Sequence, residues 1–268
     1  MKLGVTLPNF REEPGPALAV AHAAEAAGLD GVFGFDHLFR RAGDGALRPA
    51  LEGLTLLGAV AAETTRISLG PLVARASLRP AATLATALDT LARIAPDRLI
   101  AALGAGDSQS REENETYGLP AGTLATRAAA LDAAVAATVD HGYPVWVGGA
   151  SSMVGQVAAE ADGWNRWGGP LARFEREARA MREMRTRRPF TMSWAGMFVL
   201  DTNDRAARAK AQRLGSNPEA TVGGPEQVAD ALRGYGAAGA EWVIVGAVDS
   251  SDPDNAALLG ELVKPLLT

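Results

Sequence analysis

Residues 67–103 read ISLGPLVARASLRPAATLATALDTLARIAPDRLIAAL and contain one complete strand–helix–strand unit. Ile67–Val73 and Leu99–Leu103 are short apolar runs, which are typical of buried strands. Pro80–Ile94 lies between them, begins at a proline and is rich in alanine, which predicts a helix. Two buried strands joined by a helix form the repeating unit of a parallel sheet.

The same alternation continues in both directions along the 268 residues. The predicted strands are Leu3–Leu7, Gly31–Phe35, Ile67–Val73, Leu99–Leu103, Val145–Val147, Gly163–Trp167, Thr191–Leu200 and Trp242–Val245. The predicted helices are Pro16–Ala27, Leu51–Thr64, Pro80–Ile94, Leu124–Asp140, Met153–Ala161, Leu171–Arg187, Asp204–Arg213, Pro225–Tyr235 and Asn255–Leu267. Eight strand–helix units predict an α/β protein whose residues 1–268 form a single (β/α)8 TIM barrel domain. A doubly wound open sheet is the alternative, because periodicity alone does not detect closure of a sheet.

Composition and charge argue against several classes of protein. The net charge is −5, which disfavours general binding to nucleic acid. The chain has no cysteine, so disulfides and thiolate chemistry are excluded, and its three histidines show no metal-binding spacing. No run approaches the ~18 apolar residues of a membrane span, and the first ten residues predict a strand instead of a signal peptide. We therefore expect a cytoplasmic protein with no metal site and no membrane or nucleic-acid partner.

Functional groups of a (β/α)8 barrel lie on the loops that follow the carboxyl ends of the strands. His37 follows the strand Gly31–Phe35, so its imidazole is a candidate proton donor or acceptor, although a structural histidine fits the same position. Asp107 follows the strand Leu99–Leu103 and would bring a carboxyl group to the same end of the barrel. His22 lies in a predicted helix and is expected to be structural, as is His141 in a glycine-rich turn.

Two glycine-containing segments follow predicted strands. Gly104-Ala105-Gly106 would let a flat ligand or a phosphate approach the backbone, although a tight turn is the simpler interpretation. Gly148-Gly149-Ala150-Ser151 precedes a helix and is a candidate phosphate cradle, and Ser151 or Ser152 would also serve as a helix cap.

An arginine recurs at every third residue of the predicted helix Leu171–Arg187. The residues are Arg173, Arg176, Arg179, Arg182 and Arg185, with Glu175, Glu177 and Glu183 interleaved. This spacing favours a solvated outer helix with salt bridges over a binding surface.

Eight segments, in this order, resemble the bacterial luciferase-like flavin oxidoreductases, in particular their deazaflavin-dependent branch. They are LGVTLPNF (3–10), AEAAGLDGVFGFDHL (24–38), TTRISLGPLV (64–73), RPAATLATALDTLA (79–92), DRLIAALGAG (97–106), PVWVGGAS (144–151), ADGWN (161–165) and GGPEQVADALRGYGAAGAEWVIV (223–245). The resemblance covers nearly the whole chain and implies a (β/α)8 barrel with a flavin-like ring in its mouth. The chain departs from the family by being short between the helix Leu124–Asp140 and the strand Val145–Val147, where members usually carry substrate-binding insertions.

The resemblance implies the deazaflavin coenzyme F420, with FMN as the alternative cofactor. The residues implied to contact the cofactor are His37, Val73, Ala74, Gly104, Ala105, Gly106, Gly148, Gly149, Ala150 and Ser151. Asp107 occupies the position of a family carboxylate that donates a proton, but its side chain is one methylene shorter. A non-prolyl cis peptide that is common in the family would fall within Val73–Arg75.

We therefore expect an oxidoreductase that moves a hydride between F420 and a small organic substrate, with His37 and Asp107 as catalytic groups. An FMN-dependent monooxygenase and a non-catalytic flavin-binding or deazaflavin-binding protein are the alternatives. A Schiff-base lyase is disfavoured, because none of Lys2, Lys210 and Lys264 lies in a predicted strand. The resemblance also suggests a homodimer.

Overall fold

Eight parallel strands close into a barrel in the computed structural model, which describes residues 1–41, 45–107, 110–215 and 219–267. The strands are β1 (Lys2–Thr6), β2 (Gly31–Gly34), β3 (Phe39–Arg41), β4 (Leu47–Pro49), β5 (Ser68–Arg75), β6 (Ala101–Gly104), β7 (Val145–Gly148), β8 (Gly163–Trp167), β9 (Thr191–Leu200), β10 (Thr221–Gly223) and β11 (Trp242–Ala247). The barrel order is β1, β2, β5, β6, β7, β8, β9 and β11, and β11 returns to pair with β1. The predicted (β/α)8 TIM barrel is confirmed, and the open-sheet alternative is wrong.

Helices cover the outside of the barrel. They are α1 (Gly15–Ala26), α2 (Gly53–Glu63), α3 (Ala81–Ile94), α4 (Arg111–Thr116), α5 (Leu124–Ala136), α6 (Ser152–Ala159), α7 (Leu171–Met184), α8 (Asp204–Leu214), α9 (Pro225–Ala237) and α10 (Asp254–Leu258). The predicted helix Asn255–Leu267 is only partly α-helical, because α10 continues as a π-helical turn and then a 3₁₀ turn. The described helices include none with the length and apolar character of a membrane span.

The barrel interior is filled by a small cluster of large side chains. Phe33 of β2, Trp146 of β7 and Trp242 of β11 are in mutual ring contact, with centroids 5.7–6.3 Å apart. These strands are not neighbours in the sheet, so their side chains meet only because they point into the barrel. We call this cluster the inner plug; its other members are Leu72, Ile100, Ala102, Ala195 and Ile244. A separate and larger core lies between the strands and the helices.

Four elements were not predicted from the sequence. A two-stranded antiparallel hairpin, β3–β4, lies in the connection between β2 and α2. The short helix α4 lies in the connection between β6 and α5, where the sequence indicated only a loop. The strand β10 pairs with the carboxyl end of β9, beyond the part of β9 that contacts β8. A small correction concerns Lys2, which is the first residue of β1 and not outside the strand.

Candidate active site

The carboxyl ends of the barrel strands and the loops that follow them form the mouth of the barrel. Gly104 and Gly148 are the last residues of β6 and β7, and His37 follows β2 by three residues. The fold therefore brings the predicted site segments to one end of the barrel.

Asn9 holds the chain in place just before His37. Its side chain is fully buried after β1, where Oδ1 accepts a hydrogen bond from the Phe35 N–H at 3.0 Å. Its Nδ2 donates to the Phe35 carbonyl at 3.1 Å. The amide thus pairs with both backbone groups of Phe35, as a strand residue would, and fixes where the loop of His37 begins.

His37 is paired with a carboxylate that the sequence did not single out. Its Nδ1 lies 3.1 Å from Oε2 of Glu113 on α4, and the His37 side chain is about one third exposed, at 34%, against 5% for Glu113. The other carboxylate oxygen, Oε1, accepts hydrogen bonds from the Leu38 N–H and from Nη2 of Arg75. The described residues provide no partner for Nε2 of His37, so the ring is held through one nitrogen and can bond through the other.

The contacts of Glu113 keep its carboxyl group ionised. Burial raises the pKa of this group, but the hydrogen bonds from His37 and Leu38 and the charge of Arg75 outweigh burial and hold the pKa below its usual range. An ionised Glu113 only accepts hydrogen bonds, so Nδ1 of His37 is the donor in this pair. Nε2 is then the ring nitrogen that can exchange a proton with a ligand.

Arg75 connects three parts of the mouth. It is the last residue of β5, its side chain is buried, and its Nη2 donates to Glu113 at 2.8 Å. Its Nε donates to the Asp36 carbonyl at 2.7 Å, and its Nη1 donates to Oδ1 of Asn114 at 3.2 Å. A single guanidinium therefore ties β5 to the loop after β2 and to α4.

Asp36 has a structural role beside His37. Both of its carboxylate oxygens accept from Arg79, at 2.7 and 2.9 Å, and Oδ2 also accepts from the Arg75 N–H at 2.8 Å. Arg79 is also ion-paired with Glu52, which caps α2 by accepting from the Thr55 N–H. With its oxygens occupied in this way, Asp36 fixes the loop of His37.

Val73 forms a floor between two of the predicted glycines. A Cβ atom on Gly104 would lie 2.3 Å from Cγ2 of Val73, and one on Gly148 would lie 2.5 Å from Cγ1. Both contacts are closer than real Cβ atoms make, so glycine is required at these positions while Val73 is present. Val73 is half-buried on top of the inner plug. The non-prolyl cis peptide bond joins Leu72 to Val73, one bond before the segment expected from the family resemblance.

Three predicted contact residues have side chains that do not line this floor. Ala74 and Ala105 are buried in the core between strands and helices, so each would reach a ligand at the mouth only through its backbone. Ala150 is exposed on the loop after β7. Gly106 has a φ of +70° and approaches Arg75, which explains the glycine without a ligand.

The segment Gly148–Ser151 leads from the floor directly into α6. Gly149 has a φ of +141°, a backbone conformation that residues with side chains rarely adopt. Ser151 caps α6, since its Oγ accepts from the Val154 N–H at 3.2 Å. The amino end of a helix next to small residues suits an anionic group.

Asp107 is exposed at the mouth and closes the turn before α4. Its Oδ1 accepts from the Ser110 N–H at 3.0 Å and from the Ser110 hydroxyl at 3.1 Å. The described residues provide no partner for Oδ2. One oxygen of the predicted catalytic carboxylate is therefore structural, and the other is available.

Aromatic rings cover one side of the mouth. Trp167, at the end of β8, lies 5.5 Å from the ring of Phe35, and Phe35 lies 6.0 Å from Phe10. Phe10 in turn lies 5.6 Å from the His37 ring. A Cβ atom on Gly246 of β11 would lie 3.4 Å from Cη2 of Trp167, so the indole extends past β9 to the end of β11.

The other two histidines lie away from the mouth. His22, on α1, is 3.6 Å from Glu63, and both side chains are exposed. His141 precedes β7 at the opposite end of the barrel and bonds to Asp89 at 3.0 Å. The described residues contain no group of three potential metal ligands.

Sequence reasoning missed Glu113 because it lies in a short polar segment without apolar periodicity. A usable signal was present in Ser110–Glu113, which has the S-x-x-E pattern of a helix start. This pattern predicts α4, but Glu113 does not bond back to Ser110 as the pattern implies. Instead it reaches across the mouth to His37, and that contact depends on the tertiary fold.

The geometry can be compared with known proteins. The sequence model that describes the luciferase-like monooxygenases matches residues 1–137, which is half of the chain. The chain belongs to the luciferase-like monooxygenase family.

This luciferase-like chain is also 37% identical over 111 residues to an F420-dependent glucose-6-phosphate dehydrogenase of Beutenbergia cavernae, a match that covers 41% of the chain and 32% of the relative. A protein of the same description from Nakamurella multipartita is 38% identical over 96 residues, covering 35% of the chain and 28% of the relative.

These matches span about a third of the length of the two relatives. Among solved structures, an F420-dependent secondary alcohol dehydrogenase in complex with an F420–acetone adduct superposes with a TM-score of 0.82 and 15% identity, over 100% of this chain and 99% of that chain. Because the sequence identity is only 15%, this superposition is evidence for the barrel fold of the chain and for nothing further.

Proposed function

We propose that the protein is an oxidoreductase that binds the deazaflavin coenzyme F420 at the mouth and moves a hydride between it and a small organic substrate. The observation that carries the proposal is the contact of Val73 with both Gly104 and Gly148. Because Gly148 also begins the segment that caps α6, an apolar floor runs directly into a site for an anionic group. A flat ring that bears a phosphate-containing side chain needs this combination.

The residues present fit such a group. Val73 offers an apolar surface, and Gly104 and Gly148 leave the neighbouring strand ends without side chains. Ala150 and the amino end of α6 offer backbone N–H groups for the phosphate, whereas the Gly149 N–H already donates to the Asn165 carbonyl at 3.2 Å. The similarity to two F420-dependent dehydrogenases favours the deazaflavin over FMN.

When bound, F420 supplies a ring carbon that accepts or donates a hydride. The part of the protein is to place the substrate and to handle the proton that accompanies the hydride. His37 is the proton-transferring group, because Glu113 fixes its Nδ1 and leaves Nε2 free. For oxidation of an alcohol, Nε2 takes the hydroxyl proton; for reduction of a carbonyl, the protonated ring returns it.

Asp107 is proposed as a second proton-transferring group, acting through Oδ2. Its Oδ1 is used by Ser110, which fixes the orientation of the carboxyl group. The aromatic side chains of Trp167, Phe35 and Phe10 limit access of water to the same side of the mouth. We further propose that the enzyme is a cytoplasmic, single-domain protein.

An FMN-dependent monooxygenase is the second candidate, because the matching family is described as luciferase-like monooxygenases. Parallel titrations of the purified protein with F420 and with FMN, followed by ligand fluorescence, separate the two. Saturable binding of F420 alone is expected. Selective binding of FMN would move the assignment to the monooxygenases, and binding of neither would overturn the proposal.

The role of His37 is tested in a panel of primary and secondary alcohols with F420 as the acceptor. The variant His37→Ala should bind F420 and lose turnover by about 10²–10⁴-fold, the usual contribution of a general base. His22→Ala is the matched control, because His22 is an exposed histidine on α1. Equal turnover of both variants and the unmodified protein would contradict the role of His37.

A further inference from the structure

A cavity of about 380 Å³ opens at the amino ends of β9 and β11, the end of the barrel opposite the mouth. The end of α7, the residues that precede β9 and the residues that precede β11 form its walls. Its principal lining residues are Arg182, Arg185, Arg188, Phe190, Met192 and Glu241. No residue of the proposed active site contributes to it. We call it the arginine cavity.

Charge in this cavity is predominantly positive. Three guanidinium groups face one carboxylate, whereas the whole chain carries a net charge of −5. The side chains of Arg185 and Arg188 make no hydrogen bond or ion pair within the described part of the chain. Nε of Arg185 is enclosed by protein and has no hydrogen-bond partner among the described residues. Packing, and not an acidic neighbour, therefore holds this arginine at the cavity.

The arginine repeat of α7 explains how this charge accumulates. The sequence predicted interleaved salt bridges along the whole helix, but only the first part has them, where Glu177 pairs with Arg166 and Arg173. Among the described residues, neither Glu175 nor Glu183 forms an ion pair with the repeat. Toward the end of α7 the arginines are therefore not neutralised, and the cavity receives Arg182 from the helix and Arg185 from the residue directly after it.

Arg182 is held in place by the backbone of the opposite wall. Its Nη2 donates to the Ala238 carbonyl at 2.7 Å. The next residue, Gly239, has a φ of +103°, and a Cβ atom there would lie 1.6 Å from Nη2 of Arg182. Only glycine leaves room for the guanidinium, which is thus oriented before any ligand arrives.

We propose that the arginine cavity binds a phosphorylated small molecule. Guanidinium groups pair with phosphate oxygens through two parallel hydrogen bonds, and a cluster of three matches a group with several anionic oxygens. The volume falls in the range of about 300–1,000 Å³ that is usual for small-molecule sites. Phe190 and Met192 supply an apolar surface for the organic part of the ligand.

The proposal does not depend on the activity at the mouth. It is tested by titrating pyrophosphate into the purified protein in an isothermal calorimeter at low salt. The cavity is expected to bind one molecule per chain, in addition to any that binds at the anion site proposed for the mouth. A triple variant, Arg182→Gln, Arg185→Gln and Arg188→Gln, should weaken binding at least tenfold.

The matched control is the triple variant Arg176→Gln, Arg205→Gln and Arg208→Gln, which changes the net charge equally on exposed helix positions outside the cavity. It should bind pyrophosphate as the unmodified protein does. Glu241→Gln removes the opposing carboxylate and should tighten binding by about two- to fivefold. This is the change in dissociation constant that corresponds to the interaction of one pair of surface charges. Fluorescence titration with F420 should give the same affinity for both triple variants.

Absence of pyrophosphate binding, or equal losses in the two triple variants, would overturn the proposal. Circular dichroism establishes that each variant is folded. If the cavity triple variant fails to fold, Arg188→Gln alone is measured, because Arg188 is exposed and has no side-chain partner among the described residues. It should weaken binding at least threefold, and an unchanged affinity would count against the cavity.

Discussion

Nδ1 of His37 lies 3.1 Å from Oε2 of Glu113, although 76 residues separate them in the chain. His37 follows β2, whereas Glu113 belongs to the short helix after β6. Arg75, at the end of β5, donates a hydrogen bond to Oε1 of the same carboxylate and so holds Glu113 in place. The orientation of the imidazole is therefore set by an inserted helix and not by the barrel strand that precedes it.

Removing the charge of Glu113 should destabilise the protein. In Glu113→Gln the buried Arg75 loses its ionic partner, and breaking such a pair from one side costs about 3–5 kcal/mol. Urea unfolding at pH 7 measures this loss. The control is Glu112→Gln, since Glu112 is exposed and pairs with Arg41 at the surface. The free energy of unfolding of this control should be nearly unchanged, and equal losses in the two variants would contradict the interpretation.

The same carboxylate predicts a dependence of stability on acid. The pKa of Glu113 is lower in the folded protein than its ordinary value of 4.5. Its contribution to the free energy of unfolding is therefore present above that value and is lost as the pH falls through the lower folded value. Between pH 6 and about pH 3, Glu113→Gln should lose less stability than the unmodified protein does. Parallel curves for the two proteins would show that Glu113 is not responsible.

A side chain at residue 104 should clash with Val73. Gly104→Ala would place Cβ 2.3 Å from Cγ2 of Val73, and overpacking of this kind costs about 1–3 kcal/mol. The double variant Gly104→Ala, Val73→Ala removes the opposing methyl groups and should recover stability relative to the sum of the single changes. Thermal unfolding of the four proteins in this cycle gives the coupling. Additive effects would mean that the two residues are not in contact.

The position of Asn9 should require a side chain that both donates and accepts a hydrogen bond. Asn9→Ala leaves the N–H and C=O of Phe35 without partners, at about 1–3 kcal/mol for each buried group. Asn9→Asp keeps the acceptor but loses the donor. Both variants should unfold at lower urea concentration. Turnover should also fall, because the loop of His37 begins at Phe35; unaltered turnover in a folded variant would argue against this positioning role.

The barrel was predictable from the sequence because short, continuously apolar segments alternate with longer alanine-rich segments. The first kind is typical of buried strands and the second of helices. The positions of His37, Gly104 and Gly148 at the mouth follow from the same alternation. Glu113 and Arg79 were not predictable as members of the site, because charged residues in polar loops usually face solvent. Their partners lie 27–76 residues away in the sequence, and only the closed sheet brings them together.

The arginine repeat shows the opposite case. Spacing along one helix predicted pairs with interleaved glutamates, and the pair Arg173–Glu177 satisfies this rule. Farther along α7, Arg182 bonds instead to the Ala238 carbonyl, which belongs to a different part of the barrel. Local spacing identifies which residues can pair, whereas neighbouring elements decide which of them do.

The inner plug gives the barrel two ends that do not share a solvent path. Phe33, Trp146 and Trp242 are almost fully buried and meet across the axis, so a molecule admitted at one end has no passage to the other. Any coupling between the ends would therefore pass through the protein itself and not through solvent. β9 and β11 extend from the arginine cavity to the mouth and carry Ala195 and Ile244 of the plug. A ligand that displaced β9 and β11 at the cavity would also displace their opposite ends at the mouth.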